Sequence, residues 1–174
     1  MKRLLLISLV ALGTFTMSGC QMIENVIDPE KDYTLDSFKT LLAERKLSEN
    51  VPYQKVTMKN TLTTSSNEKK ESEKEYVYDN ESKKWEDETD IYLTVLSDLS
   101  LVASVKSITS STNYKFYARK NKYRINYVAN QSEGKLTCDW QFNEKGFMFQ
   151  ADLEYVNKDA IESTTQKTTF TYTE

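Results

Sequence analysis

From Asn113 to Thr173 apolar and polar residues alternate with a period of two, and no other feature limits the possible folds so tightly. Tyr114, Phe116 and Ala118 lie on one side, a Lys120-Asn121-Lys122 turn follows, and Tyr123, Ile125, Tyr127 and Ala129 return on the same side. Leu136, Cys138, Trp140 and Phe142 repeat the pattern. Asn143-Glu144-Lys145-Gly146 then turns the chain into Phe147, Phe149, Ala151, Leu153 and Tyr155, and a last run places Phe170 and Tyr172 inside with Thr169, Thr171 and Thr173 outside. Successive side chains of a strand point to opposite faces, so five strands share one apolar face and one face of Lys, Arg, Thr, Asn, Gln and Asp. An antiparallel sheet, wet on one side, fits this pattern.

Upstream, Leu35, Phe38, Leu41 and Leu42 have the spacing of one helical face, which predicts a helix over residues 35–47 with Asp36 or Ser37 as N-cap. Val56, Met58 and Leu62 alternate with Lys55, Thr57 and Lys59, and Tyr76-Val77-Tyr78 opens a partner strand. The mixed-sign run from Asn67 to Glu75 between them reads as a solvated hairpin tip. A second helix is expected where Ile91, Val95, Leu99 and Val102 form a stripe, widened by Tyr92, Leu96 and Ala103. Glu86, Asp87, Glu88 and Asp90 precede it, and carboxylates suit the positive end of a helix dipole. Calcium is the sharper reading of such acids, but Asp79-Asn80-Glu81-Ser82-Lys83 fails the EF-hand pattern at Lys83, so no metal site and no cofactor is assigned.

The fold class is therefore α+β: a curved antiparallel sheet of about seven strands, ending in a meander, with two helices on its apolar face. Five to six strands of eight residues make a face of about 700 Å². The two helices shadow about 400 Å² of it. Either the sheet curls over the difference or a trough remains, rimmed by Tyr114, Tyr123, Tyr127, Trp140, Phe149, Tyr155 and Tyr172, and suited to lipid or another apolar ligand. Filling of that space by twist and by the long tyrosines is the plainer outcome. The arrangement of helices on a curved sheet resembles the half-barrel lipoprotein carriers, a resemblance of architecture over about 120 residues that implies an apolar ligand and no catalysis.

The chain contains no histidine, which removes Ser-His-Asp and Cys-His catalysis and H-E-x-x-H metal sites. Of its four glycines only Gly134 and Gly146 lie beyond residue 19, too few for a glycine-rich phosphate loop. Paired carboxylates are the remaining general acids. Asp139, Asp152 and Glu154 fall on the polar face of neighbouring strands and could converge as in a glycosidase, although such charges more often solubilise a wet face.

The N-terminus carries a different kind of signal. Met1-Lys2-Arg3 and the apolar run Leu4 to Leu12 have the order of a secretory signal. Met17-Ser18-Gly19-Cys20 resembles the lipobox of bacterial lipoproteins, with Met17 where that family most often has leucine. The resemblance implies cleavage of residues 1–19, a diacylglyceryl group on Cys20, a short tether over 20–34, and a single domain over 35–174. It implies location on the extracytoplasmic face of the cell membrane, or on an outer membrane where the organism has one. Cys138 then has no partner for a disulfide and reads as a small core residue. Loss of Lys2 and Arg3 takes the net charge from −3 to −5, and without a sustained Lys/Arg stripe this argues against nucleic acid. The functional expectation is a non-enzymatic, membrane-anchored binding module whose partner is a lipid or an envelope protein. A structural or adhesive domain that contacts glycan or protein is the alternative, and a carboxylate hydrolase stands behind it. Ligand, partner and oligomeric state are not specified by the sequence.

Overall fold

The computed structural model describes residues 30–48, 50–82, 84–85, 99–159 and 162–174. The expected signal, Cys20 and most of the expected tether lie outside these residues, as do residues 86–98 with the acidic cluster and the first part of the second expected helix. Asp32–Glu174 forms a compact unit.

The elements in chain order are β1 (Lys31–Tyr33), α1 (Leu35–Glu44), β2 (Lys55–Thr64), β3 (Lys69–Asp79), β4 (Lys84–Trp85), α2 (Leu101–Ser107), β5 (Tyr114–Arg119), β6 (Lys122–Asn130), β7 (Gly134–Phe142), β8 (Met148–Asn157) and β9 (Ser163–Thr173). The strands form one curved, unclosed sheet in the order β1-β5-β6-β7-β8-β9-β2-β3-β4. The α+β class, the C-terminal meander and the two helices agree with the sequence reading. The strands beyond the seven long ones are the three-residue β1 and the two-residue β4, too short to carry a period.

α1 begins at Leu35, where its apolar stripe begins, and its N-cap lies just ahead of the two expected positions. Thr34, in extended conformation, accepts from Ser37 N at 3.2 Å through Oγ1, so Thr34 is the N-cap in place of Asp36 or Ser37. Phe38 and Leu42 are buried against the sheet, and Lys46 at φ +54° ends the helical path before Leu47.

Three further expectations need correction. The run 67–75 is not a hairpin tip: Lys69 to Glu75 are strand residues of β3, and the turn shrinks to residues 65–68. A charged run can extend because β2 supplies backbone partners along it and Lys55 and Lys59 meet Glu75 and Glu73 at 2.7 and 3.2 Å. The stripe through Leu99 and Val102 is not one helix, because Ser100 is extended and bridges Phe147. Leu101 N donates to Gly146 O at 2.8 Å and Met148 N to Leu99 O at 2.9 Å, and these bonds replace the helical ones. The alternation of β8 also breaks. Phe142 pairs with Met148 and Gln141 with Gln150, so a bulge leaves Phe149 with no opposite residue and brings Met148 into the core at 0% exposure. Gly146, at φ +81°, makes the preceding turn.

The core lies between the helices and the concave face of the sheet. Phe38 packs on Phe116 and Tyr123 at ring distances of 5.3 and 6.4 Å, with Ile125, Trp140, Phe142, Leu101 and Val105 buried around them. A second aromatic group, Tyr53, Tyr172, Phe147, Trp85 and Tyr78, closes the far side. Tyr172 on β9 reaches Trp85 on β4 at 6.3 Å although β2 and β3 intervene, which requires the sheet to curl.

Candidate functional site: a tyrosine-floored cleft

Tyr114 and Tyr127 face each other across β5 and β6 as register partners, with rings 4.8 Å apart. Tyr127 leans towards Trp140 at 6.2 Å and Tyr114 stacks over Phe116 at 6.1 Å. The chain from Ser107 to Asn113 passes over this pair and leaves a cleft of about 240 Å³, lined by Ser107, Ile108, Thr109, Ser110, Thr112 and Asn113 with the two tyrosines. Local bonds hold the loop. Ser107 Oγ donates to Ser104 O at 2.7 Å, Tyr114 N to Ser111 O at 3.0 Å, and Val128 N to Asn113 O at 2.9 Å, while buried Ile108 pins the middle of the segment. The floor is aromatic and the rim is hydroxyl and amide.

Partial burial raises the Tyr114 hydroxyl above its ordinary value, and the neighbouring Tyr127 and Cys138 add to the shift. The phenol therefore remains a proton donor at any physiological pH. Cys138 lies behind Tyr127 with 0% exposure, and burial pushes its thiol up to about 12. A thiol held neutral and out of reach of solvent is a core residue, as the alternation indicates.

The seven aromatic residues singled out from the sequence do not share one wall. Tyr114 and Tyr127 line the cleft and Trp140 supports it from within the core. Tyr123 is buried beneath Phe38 and the Arg45 guanidinium, whose Cζ lies 5.1 Å from the ring centre. Phe149 sits at the bulge. Tyr155 lies across Gly134, its hydroxyl 2.7 Å from where a Cβ would stand there, and Tyr172 belongs to the second aromatic group, donating to Met148 O at 2.6 Å. Packing among the aromatics thus takes up much of the face where the sequence leaves filling or a trough as the two outcomes.

The carboxylates converge only in part. Asp139 and Asp152 are register partners on the convex face, and Glu154 lies opposite Thr137. Asp139 accepts from Arg124 Nε at 2.7 Å and Asn126 Nδ2 at 2.9 Å, and Asp152 accepts from Gln150 Nε2 at 2.5 Å. These acids serve cross-strand and same-strand hydrogen bonds. Asp79 binds its own turn, accepting from Glu81 N at 2.8 Å and Ser82 N at 3.3 Å. Among the described residues no group of three Cys, Asp or Glu side chains could hold a metal ion. A second, larger cleft of about 510 Å³ crosses the convex face of β9, β2 and β3, where Lys59, Lys167, Glu71 and Glu73 alternate in sign.

One feature of the sequence gains meaning only with the fold. Residues 99–132 contain six of the 23 lysines and arginines and none of the 26 acids, while the rest of the chain carries 17 cations against 26 acids, a net −9. β5 and β6 fall wholly inside that segment. Its cations are spaced by strand periodicity and form no continuous Lys/Arg stripe; the run of 34 residues without an acid is what marks it.

Comparison with protein families, with characterised proteins and with solved structures finds no match for this chain.

Proposed function

We propose that the protein is a lipid-anchored, extracytoplasmic lipoprotein that binds a small ligand at the Tyr114–Tyr127 cleft and catalyses nothing. Tethering rests on the lipobox and Cys20. The observation that carries the binding role is the pairing of an aromatic floor with a hydroxyl and amide rim. Its volume lies below the roughly 300–1,000 Å³ of drug-sized sites, so it takes one ring or a short segment and not a whole lipid. A ligand with one apolar face and polar edges matches it. A sugar ring of an envelope glycan has this form: its C–H face lies on tyrosine and its hydroxyls meet Ser110, Thr112 and Asn113. A wholly apolar ligand leaves that rim unused.

Saturation-transfer NMR with an N-acetylglucosamine trimer, and separately with indole, tests the reading. Transfer to the trimer that disappears in Tyr114→Ala and Tyr127→Ala supports it. Transfer to indole alone returns the site to an apolar ligand, and transfer to neither removes it. The anchor is checked by the mass of membrane-extracted protein: a diacylglyceryl group at an N-terminal Cys20, absent in Cys20→Ala, is the expected result.

A further inference from the structure

We infer that the β5–β6 hairpin is a second membrane contact, a cationic surface that lays the domain against anionic phospholipid headgroups. The inference rests on the lipid-anchor reading for the presence of a membrane, and on the fold for everything else.

Strand periodicity sends Lys115, Tyr117 and Arg119 of β5 to the convex face, with Lys122 and Arg124 of β6 opposite them in register. Lys120 and Asn121 form the exposed tip. Arg124 lies 5.7 Å from the Tyr117 ring and is bonded to Asp139, so it orders the surface without adding net charge. Arg45 and Lys46, at the end of α1, add two cations near the tip but on the concave side of the sheet, because Arg45 lies over the inward ring of Tyr123. Among the described residues the other acids near this hairpin are Glu30 and Asp32 at β1, Glu44 on α1 and Glu144 in the β7–β8 turn; β5 and β6 themselves contribute none. Against a remainder of net −8, this hairpin is the face an anionic surface attracts while the rest of the domain is repelled. Half-buried Tyr117, set among cations, suits the headgroup level where tyrosine rings concentrate.

Connectivity points the same way. β1 lies beside β5 in the sheet, so a tether from Cys20 joins the domain at the edge that carries the cations. The eleven Cα steps from Cys20 to Lys31 span at most about 40 Å. Each lysine or arginine near an anionic leaflet strengthens binding about fivefold, and the attraction falls within a Debye length of about 8 Å at physiological salt. A single-sided patch close to the anchor thus gives one preferred orientation.

The full lipidated protein provides the test. A fluorophore is placed through Asn121→Cys at the hairpin tip or Ser65→Cys at the β2–β3 turn on the opposite end of the sheet; Cys138, fully buried, stays unlabelled. Vesicles carry a headgroup quencher in phosphatidylcholine alone or with 30% phosphatidylglycerol. Quenching at Asn121 but not at Ser65, only with the anionic lipid and weakened by high salt, is the expected result. Lys120→Glu with Lys122→Glu lowers the docked-to-undocked ratio at least about 25-fold. Lys120→Arg with Lys122→Arg retains docking, which separates charge from misfolding. Protein that floats with the vesicles but shows equal quenching at both sites overturns the inference and leaves the anchor intact. Failure to float with any vesicle overturns the anchor itself. Displacement of the tip from anionic vesicles by a short DNA duplex of lower total charge assigns the patch to nucleic acid and also overturns it.

Discussion

The concave face changes character along its length, and the two halves hold the fold in different ways. On β5 to β8 the inward residues are Phe116, Ile125, Trp140, Phe142 and Met148, each at most 4% exposed beneath the helices. On β9, β2 and β3 the rows at the Tyr172 end stay apolar, with Val56, Met58, Tyr76 and Phe170 buried, but the rows beyond them turn polar: Trp140 and Ala151 continue as Thr168, Asn60 and Ser72, and Cys138 and Leu153 as Gln166, Leu62 and Lys70. The first half is packed throughout; the second is packed at one end only, and at the other it is joined by backbone pairing and a side-chain chain in which Gln166 Nε2 donates to Thr168 Oγ1 at 3.3 Å and Thr168 Oγ1 to Asn60 Oδ1 at 3.2 Å. Burial of apolar surface stabilises at about 25 cal/mol per Å², whereas a neutral hydrogen bond contributes about 1 kcal/mol net. Substitutions should therefore separate the halves by size of effect.

The largest loss is expected for Trp140→Ala, about 3–5 kcal/mol in urea-unfolding midpoints, because a buried indole leaves a cavity that Phe116, Ile125 and Tyr127 only partly close. Thr61→Ala on the convex face of β2 serves as control and should stay within about 0.5 kcal/mol. Equal losses at both sites would abolish the distinction. Gly134→Ala comes next, at about 1–3 kcal/mol. A methyl there would stand 2.4 Å from Val156 O and 2.7 Å from Tyr155 Oη, so the strand pair itself must move. If Gly134→Ala in a Tyr155→Ala background recovers only part of that loss, the backbone contact is responsible for the rest.

The two halves were also unequally legible. Alternation of Tyr114, Phe116 and Ala118, then Tyr123, Ile125 and Tyr127, placed β5 and β6 because each inward residue meets a buried partner, which is what a period of two encodes. The part of β3 before Tyr76 was hidden because Lys70, Ser72 and Lys74 hold its inward positions and none of them is apolar, so composition suggested a loop although the register with β2 makes a strand. The bulge at Phe149 is a decision of backbone pairing, and hydrophobicity places both Phe147 and Phe149 inside with equal ease. Of the cleft, Tyr114 and Tyr127 were readable as strand aromatics, but their rim was not. Ser107 to Asn113 forms a wall only because α2 ends at Ser107, and the stripe that preceded it suggested a helix ending at Ala103.

A smaller effect of opposite sign sharpens the contrast. Gln166 is 6% exposed, and its Oε1 is buried with no hydrogen-bond partner, which costs stability. Gln166→Met keeps the length of the side chain and removes the unsatisfied acceptor, while Thr168 retains its bond to Asn60. A gain of about 1 kcal/mol in unfolding free energy is expected. A loss of similar size would mean that the Gln166-Thr168-Asn60 chain acts as a unit and that the polar half is held by it.

The seam between the halves yields the smallest and most conditional effect. Lys145, in the β7–β8 turn of the packed half, donates to Glu174 Oε1 at 2.9 Å at the end of β9 and lies 5.2 Å from the ring centre of Tyr53, just ahead of β2. Its pKa is raised above the ordinary 10.5, first by the Glu174 hydrogen bond and then by Tyr53 and the charge of Glu174. A group whose folded value is raised stabilises the fold below its unfolded pKa and ceases to do so as pH rises through the folded value. Wild type should therefore melt slightly above Glu174→Gln at pH 8, and the two melting curves should converge well above pH 10.5. Added salt should narrow the gap at pH 8, since the ammonium and the carboxylate are open to solvent. A difference that persists unchanged at high pH would mean that Glu174 acts through packing at the end of β9, and that backbone pairing between β8 and β9 joins the two halves without help from this charge.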